Sequence, residues 1–353
     1  MTDTIDLNEV REQLAHWFSK QFPQATEITV SPLKAPGSGS SNETFFFQLD
    51  RQEGGETYSQ DLVIRWPPKG FLVFPEHSYD MKKQYRLLQC LADTPIPTAQ
   101  VYWMEEDSSI LGAPFYIMER VDGWVPGDFP PYHIQGPLFA ACEADRAKVW
   151  RGAIDTMIEI HALDWQAAGL DFLGRPTAKG FIETQVAFYD EAYQQNDESL
   201  PPILAATREW LLDNNFSPTR HTLCWGDARL GNMVFRDYEV AAALDWEMAC
   251  IGDPESDLAW FAHIDWACSE GRPTDPFDRM AGLPSIEETI AYYERKTNRK
   301  VENFSYYDVF ATWRMAIVYT RIEQDARYLA RSGKSKEMIT RTHFEKLQRL
   351  IGI

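Results

Sequence analysis

Cys224-Trp225-Gly226-Asp227-Ala228-Arg229-Leu230-Gly231-Asn232, followed by Leu244-Asp245-Trp246-Glu247, decides how this chain is to be read. The stretch sets an Arg two residues after Asp227, an Asn five residues after it and a second Asp eighteen residues after it. Phosphoryl transfer from a nucleotide needs that set. A carboxylate orients the attacking hydroxyl, a cation meets the developing charge, and an Asn/Asp pair holds Mg²⁺. Thr222-Leu223-Cys224 and Met233-Val234-Phe235 read as short buried strands around a tight loop. Val240 to Leu244 reads as a third strand that delivers Asp245 at its end. The competing reading is a plain β-hairpin whose Asp and Asn only serve the turn.

Upstream of this stretch the pattern is that of a small sheet. Residues 8–22 carry Val10, Leu14, Trp17, Phe18 and Phe22 at helical spacing, and Pro23 ends the helix. Ile28-Thr29-Val30 predicts a first strand. Pro36-Gly37-Ser38-Gly39-Ser40-Ser41-Asn42 is a loop poor in side chains, leading into a strand over 44–49. Gly54-Gly55 predicts a hairpin turn before the strand Leu62-Val63-Ile64-Arg65-Trp66, which Pro67-Pro68 stops. A helix over 78–91 and strands at Val101-Tyr102-Trp103 and 114–118 complete five antiparallel strands with one inserted helix.

After Glu119-Arg120-Val121-Asp122-Gly123 helices dominate, over 143–163, 181–195, 203–214, 254–268, 285–297 and 305–331. Asp253-Pro254 has the form of an N-cap and first helical residue. Residues 124–142 and 269–284 read as loops. The expected class is α+β in two lobes, residues 1–120 and 121–353.

A chain of 353 residues with 44% apolar content can bury a large core. Its formal charge of −19 opposes nucleic acid and anionic membranes as partners, because their phosphates would be repelled. The same charge would suit a cationic small molecule, although surface Asp and Glu also serve solubility. Cys90, Cys142, Cys224, Cys250 and Cys268 are scattered without a C-x-x-C pair, which predicts reduced thiols in a cytoplasmic protein. The polar start lacks the form of a signal peptide, and no apolar run approaches the length of a membrane span.

The order of these features resembles the aminoglycoside phosphotransferase family of small-molecule kinases. Within it the chain is most similar to the branch that includes a kinase domain fused to acyl-CoA dehydrogenases. The resemblance runs from about residue 35 to 325. It rests on Ser41-Asn42-Glu43-Thr44-Phe45, Val63-Ile64-Arg65, 115–121, 226–232, 244–247, and Gly252-Asp253-Pro254 through Asp257-Leu258-Ala259. It implies a protein-kinase-like fold, ATP as co-substrate, Mg²⁺, and a small-molecule hydroxyl as acceptor.

The resemblance also assigns roles. Gly39, Ser40, Ser41 and Asn42 would cover the polyphosphate with N–H and hydroxyl donors, though no Walker A pattern is present. Val63 would roof the adenine while Arg65, on the same strand face, would reach the α- and β-phosphates. Met118 would back the pocket, and the Glu119 carbonyl and Val121 N–H would hold the adenine edge. Asp227 would orient the acceptor hydroxyl, Arg229 would meet the γ-phosphate, and Asn232 and Asp245 would ligate Mg²⁺.

Asp257 would brace the catalytic-loop backbone, and His161 reads as a satisfied core histidine. Trp260, Phe261 and Trp266 could line an acceptor pocket or the core. Two departures stand out. Gln84 occupies the place of a Glu that would pair with Arg65, with Asp80 one turn earlier as a substitute. Trp225 stands where the family commonly has His, and would fill the space beneath the loop. These departures motivate an alternative, a nucleotide-binding regulatory module with little catalysis. A protein kinase is disfavoured because no A-P-E segment follows Asp245.

Overall fold

The computed structural model describes residues 6–35, 43–68, 70–175, 180–194, 199–216, 220–324 and 340–353. The chain divides into two compact units. The first holds Met1–Leu72, Tyr79–Asp93 and Thr98–Asp122, and the second holds Val73–Ser78, Thr94–Pro97 and Gly123–Ile353.

The first unit opens with α1, Leu7–Gln21, capped by the Asp6 carboxylate, which accepts from the Asn8 and Glu9 N–H groups. Strands β1 (Glu27–Val30), β2 (Glu43–Glu53), β3 (Glu56–Trp66), β4 (Val101–Glu105) and β5 (Phe115–Glu119) form one antiparallel sheet in the order β1-β2-β3-β5-β4. This is the expected five-stranded sheet.

Alternation along the strands separates two faces. Phe45, Phe47 and Leu49 on β2 and Leu62, Ile64 and Trp66 on β3 share one buried cluster with Val10, Leu14, Trp17 and Phe18 of α1. Val63 and Arg65 alternate with these residues and lie in register with Met118 and Tyr116 of β5. The β2–β3 hairpin turns at Gly54-Gly55, both with positive φ (62° and 86°), the backbone that two-residue hairpins favour.

Helix α2, Met81–Leu91, starts three residues later than the sequence pattern suggested, because the Asp80 carboxylate caps it by accepting from Lys83 N–H at 3.0 Å. Asp80 Oδ1 is thereby engaged at the helix end. Replacing Asp80 by Ala is expected to cost about 1 kcal/mol in urea denaturation, while Asn, an equally good cap, keeps the stability. A change in nucleotide affinity without loss of stability would contradict that assignment.

The second unit is mainly helical: α3 (Pro137–Ala140), α4 (Glu143–Ala162), α5 (Phe181–Gln194), α6 (Pro202–Asp213), α7 (Pro254–Ala267), α8 (Ile286–Thr297), α9 (Phe304–Gln324) and α10 (Arg341–Ile351). The six expected helices are all present. The 305–331 helix is described as far as Gln324, and α10 was not anticipated. Helices α7 and α9 bury residues around most of their circumference, as core helices do. Between α6 and α7 in the chain lie β6 (Thr222–Cys224), β7 (Met233–Arg236), β8 (Glu239–Ala243) and β9 (Cys250–Gly252). Among the described residues no helix is long and apolar enough to cross a membrane.

Candidate active site

The strands around the opening stretch do not pair with each other. β6 pairs with β9 and β7 pairs with β8, so residues 225–232 link two separate ladders. The hairpin reading is thereby excluded. Gly226 adopts φ +84°, and a Cβ there would lie 2.1 Å from the Met248 carbonyl oxygen and 2.6 Å from its carbon. Only glycine fits that bend.

The loop backbone is held from several sides. Asp257, on the first turn of α7, accepts from Trp225 N–H at 2.6 Å and Gly226 N–H at 2.9 Å. His161 Nε2 lies 3.1 Å from the same carboxylate, and its Nδ1 is 2.9 Å from the Tyr293 hydroxyl. Both were read this way from the sequence, Asp257 as a brace and His161 as a satisfied core histidine. His161, Cys224 and Asp257 place potential ligand atoms within 4.8 Å of one another, but these hydrogen bonds already engage Asp257 and His161.

Arg314 of α9 donates to the Gly226 carbonyl at 2.8 Å and to the Tyr189 hydroxyl at 2.8 Å. Trp225 is fully buried, donates to the Leu244 carbonyl at 2.9 Å, and fills the space assigned to it.

Asp227 stands at the centre. Its Oδ1 accepts from Trp260 Nε1 at 2.7 Å, and its Oδ2 accepts from Arg229 Nε at 3.0 Å and Asn232 Nδ2 at 2.7 Å. Burial alone would raise this carboxyl. The Arg229 charge and the hydrogen bonds from Trp260, Arg229 and Asn232 outweigh it and hold Asp227 below the ordinary carboxylate range.

Asn232 Nδ2 also donates to the Asp227 carbonyl at 3.0 Å. With its nitrogen spent, the Asn232 amide oxygen accepts no hydrogen bond among the described residues. The Asn232 carbonyl accepts from Leu244 N–H at 2.7 Å, which fixes the exit of β8 against the loop. Asp245 follows in the left-handed region, φ 58° and ψ 66°. Burial opposes the charge on Arg229, yet Asp227, Asp128 and Asp245 together raise its pKa above the usual guanidinium value. Thus Asp227, Arg229, Asn232 and Asp245 come together within the second unit.

Three contributors were missed. Asp128, in the Gly/Pro-rich segment read only as loop, forms an ion pair with Arg229. Burial lifts the Asp128 carboxyl above its ordinary range despite Arg229, with the Asp227 charge adding to the lift. That segment is anchored where Tyr132 donates to Asp265 at 2.7 Å and His133 Nε2 lies 3.1 Å from the same carboxylate. Trp260 turns its indole N–H to Asp227 instead of serving only as pocket or core, whereas Phe261 packs edge-on against Trp150. Arg314 lies 4.1 Å over the Trp260 ring, supporting the residue that supports Asp227. An indole at helical spacing and a lone Arg carry no local signal of such pairings.

In the first unit, Arg65 is buried at 7% exposure and Val63 and Met118 are buried with it. Gln84 is buried and points inward as expected, but its Oε1 accepts from the Tyr116 hydroxyl at 3.4 Å. At the end of β5, Glu119 N–H donates to the Gln100 carbonyl and Arg120 N–H to that of Asp61. Val121 N–H has no partner among the described residues. Gly39, Ser40, Ser41 and Asn42 lie outside the described residues.

Asp253 occupies the N-cap position of α7, with Pro254 first in the helix, yet its side chain does not cap. It accepts instead from Tyr307 at 2.7 Å, and burial pushes its pKa up to about 7. The unfolded chain loses this proton near the ordinary value, 3.8, while the native state keeps it to about 7. Unfolding in that window releases a proton, so the Asp253 contribution falls as pH rises from about 4 to 7. The slope is at most about 1.4 kcal/mol per pH unit. Denaturation of wild type and Asp253→Asn across this window is expected to show the difference. Parallel curves would refute it.

A model of the phosphotransferase enzyme family matches residues 32–284. The mouse acyl-CoA dehydrogenase family member 10 is 30% identical over 290 residues, covering 79% of this chain and 25% of that protein. Human acyl-CoA dehydrogenase family member 11 is 28% identical over 317 residues, covering 88% of this chain and 38% of that protein. The chain therefore spans well under half the length of these relatives. A Ralstonia eutropha structure provisionally described as an aminoglycoside phosphotransferase superposes with a TM-score of 0.67 at 25% identity, covering 96% of this chain and 98% of that one. A thermostable aminoglycoside phosphotransferase APH(4)-Ia mutant, solved with ADP and hygromycin B, gives 0.57 at 16% identity with the same coverage, a likeness of fold alone.

Proposed function

The chain belongs to the phosphotransferase enzyme family, and on that footing we propose that it transfers the γ-phosphate of ATP to a hydroxyl of a small molecule in a Mg²⁺-dependent reaction. The observation that carries this reading is the convergence of Arg229 and Asn232 on one carboxylate, Asp227, with Asp245 fixed beside Asn232 through the Leu244–Asn232 hydrogen bond.

Asp227 Oδ1 accepts a single hydrogen bond, from Trp260, and so keeps capacity for the acceptor hydroxyl. Held below the ordinary range, this carboxylate is a weak base, and its main contribution is to orient the hydroxyl for attack. The hydroxyl proton passes to Asp227 as the new P–O bond forms and the bond to the ADP oxygen breaks. Arg229 meets the charge on the transferred phosphoryl group.

The donor set fits a hard divalent cation. Asn232 offers its unused amide oxygen and Asp245 a carboxylate on the adjoining strand end. Bound there, Mg²⁺ supplies charge neutralisation for the polyphosphate.

In the first unit, Arg65 takes the nucleotide phosphates, Val63 and Met118 bound the adenine, and the Glu119 carbonyl and Val121 N–H hold its edge. Gly39 to Asn42 cover the phosphates. Residues 1–120 then serve the nucleotide and residues 121–353 the chemistry and acceptor, in a cytoplasmic protein. The acceptor is an aminoglycoside-like compound, amino alcohol, sugar or hydroxyacyl compound, and the charge of −19 favours a cationic one.

ADP release over a library of hydroxyl compounds, compared between wild type and Asp227→Ala, tests the proposal. Turnover is expected with wild type only, and its loss is expected on chelation of Mg²⁺. ATP binding with no acceptor phosphorylated above the level of the variant would favour the regulatory-module alternative.

A further inference from the structure

Cys224 and Cys250 stand directly opposite one another in the β6–β9 ladder. Opposed residues of an antiparallel pair have Cα atoms about 4.5–5.5 Å apart and side chains on one face. A disulfide accepts Cα separations of roughly 4.4–6.8 Å, so the ladder admits one without moving its backbone. The two thiols extend from facing residues of neighbouring strands. Their surroundings differ. Cys224 is 1% exposed, with the Thr222 hydroxyl 3.9 Å from its sulfur, whereas Cys250 is partly exposed beside Gln185.

We propose that Cys224 and Cys250 form a reversible dithiol–disulfide site, oxidised by a peroxide or a low-molecular-weight disulfide. Cys250, the accessible sulfur, reacts first, and Cys224, shielded beneath it, resolves the product. With hydrogen peroxide, the Cys250 sulfur attacks one oxygen, the O–O bond breaks, and water leaves with the thiol proton, giving a sulfenic acid. The Cys224 sulfur then attacks the Cys250 sulfur. The S–O bond breaks, the S–S bond forms, and a second water carries away the Cys224 proton. Two thiols lose two electrons and two protons, and one peroxide becomes two waters.

With a low-molecular-weight disulfide, two successive exchanges give the same bond and release two small thiols. Burial above all pushes the Cys224 thiol well up, so it is a poor first target for oxidants and depends on Cys250. The ring closed by this bond contains Asp227, Arg229, Asn232 and Asp245, so oxidation would tie together both ends of the segment carrying the candidate site.

The full chain, purified reduced, is treated separately with hydrogen peroxide and oxidised glutathione. Remaining thiols are then alkylated before intact-mass measurement and peptide mapping. The expected result is a loss of two hydrogens and one peptide pair joining Cys224 to Cys250. Dithiothreitol reverses both changes, and Cys90, Cys142 and Cys268 remain alkylatable. In Cys224→Ala, Cys250 is expected to stop at a sulfinic acid or a mixed disulfide with glutathione. Wild-type protein in which Cys224 and Cys250 are both alkylated after treatment, or in which the bridge joins other cysteines, would overturn the proposal. The wild-type measurement alone decides, whether or not the variant folds.

Discussion

Asp227→Asn is expected to lower phosphate transfer by about 10²–10⁴-fold, the range associated with losing a positioned acid–base group. The substitution keeps size but reverses part of the hydrogen bonding. Three side-chain donors, from Trp260, Arg229 and Asn232, point at the two carboxylate oxygens. An amide NH₂ in either place faces a donor, so the variant loses the orientation of its neighbours as well as the site for the acceptor hydroxyl. The same mismatch costs about 1–3 kcal/mol of stability. ADP release at saturating ATP, with nucleotide affinity from calorimetry, separates the effects. Turnover should collapse while ATP binding changes little, because Asp227 makes no contact with the nucleotide in the proposed reading. Activity within tenfold of wild type would remove Asp227 from the mechanism.

Asp257→Ala has the largest expected effect on stability, about 3–5 kcal/mol, the cost of deleting one partner from a buried charged cluster. Asp257 is 1% exposed, and its oxygens serve the Trp225 and Gly226 N–H groups and His161. Removing it strands two backbone donors and an imidazole nitrogen where water cannot replace the lost acceptor. Thermal denaturation gives the global cost, and amide hydrogen exchange at Trp225 and Gly226 gives the local one. Unchanged protection at those two amides would show that Asp257 does not hold the loop.

Much of this architecture could be read from the chain because its causes are local. The five strands and α1 announce themselves through periods of two and 3.6, and Gly54-Gly55 marks its turn by backbone freedom alone. The spacing of Asp227, Asn232 and Asp245 was equally visible, because one loop and one strand carry all three. What escaped was set by distant partners. Asp128 meets Arg229 from 101 residues away, and Arg314 reaches the Gly226 carbonyl from 88. Asp253 looked like an ordinary cap, but a tyrosine 54 residues on draws its carboxylate inward. Neither β6 nor β9 exceeds three residues, so their pairing depends on the helices that bring them together, above all α7 beginning immediately after β9.

The hairpin tip at Gly54-Gly55 has a practical use. A side-chain carbon built on either glycine would meet nothing within 4 Å, and most of the neighbouring strand ends stand in solvent. Such tips tolerate added chain. A short epitope or a fluorophore-bearing peptide grafted between them would give the protein a handle for immobilisation or distance measurement, at the opposite end of β3 from Arg65.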